Sequence, residues 1–305
     1  MSIDLWPVGE DFAAEIGDVN LSLPISKNLA EEILTAYNTY AVLIFPNQRL
    51  TQDAHVRFAK IFGDIDHSMV ADMEMAVPRV PTEIADVSNL GSDGSVLDED
   101  HRMIGFQRGN RLWHTDSSFK HVPANASCLY MQSIPPVGGQ TEFADMRAAW
   151  DALAPRLREK IRGRIALHSI ANSRKRMGFD MTDEENASYP QVPQALVRSH
   201  ATSGRTSIYL AAHARSIVGM PQEQADALID TLFEHATQRR FIYAHRWRTN
   251  DLVVWDNRCV MHRGRPFDDT RWPRDAQRAT TIDIGNTCEQ EGLSNGTTHL
   301  FDAAE

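Results

Sequence analysis

Residues 112–119 read L-W-H-T-D-S-S-F. A histidine and an aspartate two apart, His114 and Asp116, follow a large aromatic residue. On a strand, residues i and i+2 project to the same face. An imidazole nitrogen and a carboxylate oxygen would then converge on one point and offer two of the three ligands of a metal site. The same spacing also suits a half-buried strand edge in which the two side chains hydrogen-bond, and an isolated H-x-D does not choose between the two.

Working outward, the flanks read as short strands. S-C-L-Y-M-Q-S-I (127–134) is a strand, P-P-V-G-G-Q (135–140) a turn, and T-E-F-A-D (141–145) follows it. Trp150, Leu153, Leu157 and Ile161 share a helical face and predict a helix over 146–162. S-I-Y-L (207–210), D-L-V-V-W-D (251–256) and A-T-T-I-D-I (279–284) read as further strands. A helix is expected over 221–237, with proline in its first turn and Ala225, Leu228, Ile229, Leu232 and Phe233 turned inward. Upstream, Leu29, Ile33, Leu34 and Tyr37 predict a helix over 29–40 with Ser26 as its cap, leading into a buried strand, A-V-L-I-F (41–45), closed by Pro46 and Asn47. A second helix, 51–62, carries Ala54, Phe58, Ile61 and Phe62 on one side and stops at Gly63. Residues 64–111 are rich in proline and glycine and read as a long irregular lid that leads into the H-x-D. Its acidic cluster, Asp98-Glu99-Asp100, reads as a solvated loop, and the tail 286–305 as poorly ordered polar chain. Short strands with helices at the start and in two insertions suggest a β-sandwich or jelly roll flanked by helices. Neither a β-α-β-α alternation nor a G-x-G-x-x-G supports a nucleotide-binding sheet.

Bulk properties narrow the function. With 305 residues the chain can bury a substantial core, and its 42% hydrophobic and 24% charged residues are ordinary for a globular enzyme. A net charge of −10 argues against a nucleic-acid binder. The three cysteines, Cys128, Cys259 and Cys288, form no C-x-x-C, which argues against a disulfide scaffold or zinc ribbon and fits the reducing cytoplasm. The N-terminus shows no secretory pattern, and no apolar run approaches the roughly 18 residues that span a bilayer.

The third ligand is sought late in the chain, where D-N-R-C-V-M-H-R-G (256–264) supplies His262 between a strong strand and Gly264. Two histidines and one carboxylate form a facial triad with three open positions, the arrangement of non-haem Fe(II) oxygenases. Zinc hydrolases more often use H-E-x-x-H or a cysteine-rich set, and the sequence has neither. Beyond His262, Arg274 and Arg278 in R-D-A-Q-R-A-T-T are four apart and face the same side on a strand. Two guanidinium forks suggest two anionic groups to hold. A solvated basic edge reads the same way, because six of the eleven residues 268–278 are charged.

W-H-T-D, G-G-Q-T-E-F-A-D-M-R-A-A-W, W-D-N-R-C-V-M-H-R-G and R-x-x-x-R-A-T-T together resemble the 2-oxoglutarate-dependent dioxygenases of the taurine dioxygenase family, more closely its 2,4-dichlorophenoxyacetate dioxygenase branch, over about residues 5–285. The resemblance implies a single mainly β domain, 1–305, with flanking helices and a double-stranded β-helix (jelly roll) core. It implies Fe(II), 2-oxoglutarate and O2 as cofactor and cosubstrates, with His114, Asp116 and His262 matching the iron ligands. Thr141 and Arg274 match the pair that binds the distal carboxylate of 2-oxoglutarate. Arg278 matches the arginine at the reactive end, near the anionic group of the substrate, and Asn110 an asparagine on the substrate side. Arg198, His200 and His213 resemble stretches of the phenoxyacetate branch and either face the substrate or are ordinary polar residues. His55, His235 and His245 are assigned to surface or packing roles, and Trp113 and Trp255 to the core.

The expected function is hydroxylation of a small anionic organic substrate with release of succinate and CO2. An aryloxyalkanoate is favoured. Hydroxylating the carbon that bears the ether oxygen gives a hemiacetal, and a phenoxyacetate then falls apart to a phenol and glyoxylate. The alternatives are an alkylsulfonate such as taurine, which would yield sulfite and an aldehyde, an unrelated small-molecule hydroxylation, and a non-catalytic jelly-roll binding protein. The resemblance also points toward a homo-oligomer, but no interface is legible. No nucleic acid or membrane partner is expected.

Overall fold

The computed structural model describes residues 3–9, 11–69 and 77–293. Its principal sheet has eight strands. The order runs Asp4–Gly9, Ala13–Gly17, Val42–Phe45, Leu252–Asp256, Ala124–Ser133, Asp275–Ile282 and Ile65–Asp66, with Ala85–Asp86 also paired to Asp275–Ile282. Its neighbours are antiparallel except for Ala13–Gly17 beside Val42–Phe45. A second sheet sets Thr141–Asp145 between Ile242–His245 and Val260–Gly264, and a third sets Ile165–His168 between Ala214–Ile217 and Val192–Ala195. The molecule is thus mostly sheet with several helices.

The period of the strands explains why the central ones are apolar over most of their length. Leu43, Phe45, Cys128, Tyr130, Leu252 and Val254 pack against Ile33, Tyr37 and Phe58 of the two N-terminal helices. Their alternate neighbours, Val42, Ile44, Leu129, Met131, Val253 and Trp255, pack with Phe143 and Val260 of the second sheet. Successive side chains point to opposite faces, so a strand covered on both sides is mostly apolar, and its buried polar residues, Ser127 and Asp256, are hydrogen-bonded. The helices begin where the sequence signals them. Ser26 caps Lys27–Tyr40 by accepting from the Leu29 amide, and Thr51 caps Gln52–Ala59 through the Ala54 amide.

Several expectations are corrected. The H-x-D is not on a strand: His114 makes a single bridge to His262, and Asp116 begins a turn. The expected helix 146–162 is two helices, Met146–Ala152 and Pro155–Ile161, because Pro155 can start a helix but cannot continue one. The segment 64–111 is not structureless. It contributes Ile65–Asp66 and Ala85–Asp86 to the sheet edge and carries a helix, Arg102–Gln107, and a 3-10 turn, Arg108–Arg111. Residues 70–76 of this segment lie outside the described residues. Asp98, Glu99 and Asp100 are exposed, as a solvated loop requires. The start of the tail is ordered: Asn286 caps a short helix, Thr287–Gln290, and the Thr287 hydroxyl accepts from the Ala195 amide at 2.7 Å and donates to Gln194 Oε1 at 2.6 Å. Residues 294–305 lie outside the described residues.

Candidate metal centre and its two clefts

His114 and His262 face each other across the bridge, exchanging both backbone bonds at 2.9 and 2.8 Å. Directly opposed residues of an antiparallel pair place their side chains on one side, and the two rings lie 4.2 Å apart between centroids. Asp116 reaches the same point from the turn, which is pinned to the loop before Val260–Gly264. The Thr115 hydroxyl donates to the Val260 carbonyl at 2.7 Å, and the Asp116 amide donates to Asn257 Oδ1 at 3.1 Å. Asp116 Oδ1 is 3.8 Å from His114 Nε2, and its Oδ2 is 3.7 Å from His262 Nε2. These donors, all buried, lie within 4.8 Å of one another.

The chemistry of the donors fits a divalent metal. His114 Nδ1 lies 2.7 Å from the Leu112 carbonyl, an acceptor only, so Nδ1 carries the proton and the Nε2 lone pair faces the centre. Among the described residues His262 Nδ1 is buried without a partner. Burial lowers His114 to about 4 and His262 well below the usual histidine range, so both imidazoles are neutral at physiological pH. For Asp116, burial alone would raise the pKa, but Arg278 and the two histidines outweigh it and hold the carboxyl at about 2. Arg278 Nη1 donates to Asp116 Oδ1 at 2.6 Å, and the Ser127 hydroxyl donates to Oδ2 at 2.7 Å.

Two clefts meet at this centre. The first holds about 790 Å³ of empty space including its open mouth. Thr141, Arg274, Arg278 and Asn110 line it together with His114 and His262, as the sequence predicts. The Thr141 hydroxyl accepts from Trp247 Nε1 at 3.0 Å, which leaves its proton free to donate. Arg274 is lowered to about 10 by burial, and among the described residues its guanidinium donates only to the Val87 carbonyl at 3.3 Å. The G-G of the preceding turn is required by geometry. Gly138 has φ +81°, and a Cβ there would sit 2.5 Å from the Pro266 carbonyl oxygen.

The second cleft, about 710 Å³ with its mouth, shares Asn110, His114 and Arg278 but adds Asp116, His213, Arg174, Phe106 and Phe119. His213 Nδ1 is 2.9 Å from the Ser173 hydroxyl, which itself donates to the Ile170 carbonyl. The hydroxyl must therefore accept from His213, whose Nδ1 carries the proton. Burial and nearby Arg174 hold the imidazole neutral.

Arg198 and His200 line neither cleft. Arg198 is buried against Asp283 at 2.6 Å and Gln290 at 3.0 Å, and His200 Nε2 pairs with buried Asp256 at 3.0 Å. Both are held behind the centre by carboxylates distant in sequence. His55 and His245 are buried packing residues, bonded to the Cys128 carbonyl and to Asp251, and half-buried His235 bonds to the Ala149 carbonyl. Trp113 packs partly into the core with Arg263 over its ring. Trp255 is core but also touches the first cleft, its ring 4.5 Å from that of His262. The sequence reading missed Arg174 and Trp247. Arg174 lies in S-R-K-R (173–176), a run that looks solvated until Ile170–Lys175 folds as a short helix and buries that one side chain.

The family model described as taurine catabolism dioxygenase TauD, TfdA family matches residues 5–280. The chain is 40% identical, over 93% of its length and 99% of the relative, to an alpha-ketoglutarate-dependent 2,4-dichlorophenoxyacetate dioxygenase of Cupriavidus pinatubonensis. It is 33% identical to an (S)-phenoxypropionate/alpha-ketoglutarate-dioxygenase of Sphingobium herbicidovorans, over 88% of this chain and 92% of the other. The crystal structure of AAD-2 in complex with Mn(II) and N-oxalylglycine superposes with a TM-score of 0.90 at 40% identity, covering 94% of this chain and all of that one.

Proposed function

The chain belongs to the taurine catabolism dioxygenase TauD/TfdA family, and from that premise we propose that it hydroxylates a small aryloxyalkanoate beside the ether oxygen, releasing a phenol and a 2-oxo acid. Fe(II) is its cofactor, and 2-oxoglutarate and O2 are its cosubstrates. The observation that carries the reading is the convergence of His114, Asp116 and His262 at the floor of a cleft whose wall presents Arg274 and the Thr141 hydroxyl.

In this reading His114, Asp116 and His262 hold the metal, which when bound supplies oxidising power by coupling O2 reduction to decarboxylation of 2-oxoglutarate. Arg274 and Thr141 bind the distal carboxylate of the cosubstrate, a cation and a donor that cost little entropy to fix. Arg278 keeps Asp116 ionised and oriented, and with Asn110 it borders the substrate. His213 contributes a neutral imidazole to the same side. The fold reading extends to one domain with a double-stranded β-helix core, which the antiparallel sheets and the TM-score of 0.90 support. Three buried, unpaired thiols support a cytoplasmic location. Among the described residues no helix is long and apolar enough to cross a membrane.

The test is succinate release with Fe(II), ascorbate and O2 across phenoxyacetates, phenoxypropionates, taurine and other small acids. Strong stimulation by a phenoxy acid with release of the phenol is expected. Stimulation by taurine alone would replace the substrate class, and no release from an iron-loaded protein would favour a binding role.

A further inference from the structure

Among the described residues the ionic groups of the second cleft do not balance. Its lining carboxylates are all engaged: Asp66 with Lys120 at 2.6 Å, Asp116 with Arg278 at 2.6 Å, and Asp86 with Arg79 at 3.2 Å. One cation is left over. Arg174 is 5% exposed, and among the described residues no carboxylate forms an ion pair with it. Its single hydrogen bond runs from Nη2 to Asn110 Oδ1 at 3.3 Å, and its Nε is buried without a partner. The guanidinium stacks over Phe106 at 4.3 Å and lies against the bare backbone of Gly109, where a Cβ would fall on it. Burial, and then the charge of Arg278, lower it to about 9. A buried charge without a partner is costly, and here it faces a cavity beside the metal ligands. The first cleft has the same arrangement, with Arg274 as its surplus cation.

We propose that Arg174 is the residue that binds the carboxylate of the organic acid substrate, with the aryl ring seated against Phe106, Phe119 and Met69. This rests on the dioxygenase reading above and assigns the specificity of its second cleft. Arg278 is less suited to the task because Asp116 already occupies its Nη1. His213 is neutral and adds no charge. The Arg174 guanidinium, by contrast, lines the cleft and pairs with no carboxylate among the described residues. A neutral ester or amide of the same acid would leave the guanidinium uncompensated.

The experiment is calorimetric binding to the Mn(II)- and 2-oxoglutarate-loaded protein, so that turnover is not the readout. The probes are phenoxyacetate, its amide 2-phenoxyacetamide, benzoate and taurine. The proteins are the wild type, Arg174→Gln, Arg174→Lys and Gly109→Ala. The wild type should bind phenoxyacetate roughly 30-fold or more tighter than the amide. Arg174→Gln should erase that preference, Arg174→Lys should retain part of it, and Gly109→Ala should weaken it by displacing the guanidinium with its charge intact. In all three variants the affinity for 2-oxoglutarate should stay within about threefold of the wild type, which also shows that they fold. Arg174→Gln retaining the preference for the acid, or losing 2-oxoglutarate binding instead, would overturn the assignment. If benzoate or taurine binds in place of phenoxyacetate and still depends on Arg174, the anion site stands and the aryloxyalkanoate reading falls. A wild type that binds none of the acids overturns both.

Discussion

The two clefts that meet at His114, Asp116 and His262 share much of their lining but differ in where their distinctive residues sit. In the first, Thr141 opens the strand Thr141–Asp145, Leu129 and Trp255 come from paired strands and Arg274 immediately precedes Asp275–Ile282, although Ile104, Gln107 and Asn110 of the helical segment 102–111 line it too. In the second, Phe106 and Arg174 come from short helices and Phe119 from a turn, although Asp66, Asp86 and Arg278 of the sheet line it too. Register fixes a strand residue to within a pleat, whereas short helices and turns vary freely between relatives. A common cosubstrate would therefore be held by the first wall, and substrates that differ between relatives by the second.

The largest expected effect strikes both clefts at once. Asp116→Ala removes a ligand and leaves half-buried Arg278 without its partner, so metal-dependent succinate release should fall by roughly three orders of magnitude or more. Metal titration of the purified variant checks that the loss lies in binding. Next, Arg274→Gln should raise KM for 2-oxoglutarate roughly 10- to 150-fold, the range for losing a charge-assisted bond, and leave the affinity for the organic acid nearly unchanged. Equal losses for both ligands would erase the division between the clefts.

A smaller effect belongs to the sheet behind the first cleft. His55 is fully buried under Ala124–Ser133, and burial holds its pKa at about 4. The unfolded chain takes up that proton near pH 6.5, so the folded state is penalised as the pH falls from 6.5 toward 4, and the penalty levels off below that. At pH 5 it amounts to about 2 kcal/mol. The change in Tm between pH 7 and 5 should shrink in His55→Gln, and an unchanged slope would refute the claim. The smallest effect is expected at the outer edge of the clefts. Glu99 is 70% exposed and pairs with Arg108 at 3.1 Å, so Glu99→Gln should change stability by less than about 0.5 kcal/mol and activity by less than about twofold.

The same contrast governs what the sequence reveals. A-V-L-I-F (41–45) and the L-V-V-W of D-L-V-V-W-D (251–256) announce themselves because strands buried on both faces are continuous apolar runs. Ile242–His245 of the second sheet does not, because it is only half covered and lacks that signature. His114 and Asp116 were legible as ligands for a reason that differs from the structure. They converge through a bridge and a turn rather than through strand alternation. Arg198 and His200 look like substrate contacts only while Asp283 and Asp256 are unseen, since pairing across 85 and 56 residues leaves no local mark. Arg174 is hidden for the opposite reason, because the basic run around it imitates a solvated surface.

The bridge between His114 and His262 has a mechanical side. The two residues stand 148 positions apart, nearly half of the 305-residue chain. An ion shared between them is held by the folded chain and released on unfolding, so its binding free energy adds to the stability of the fold and ties together parts of the chain far apart in sequence. Occupancy of the centre by a redox-inert ion should therefore lengthen the survival of the protein against heat and proteases. A cell starved of iron would then lose the enzyme itself as well as its activity.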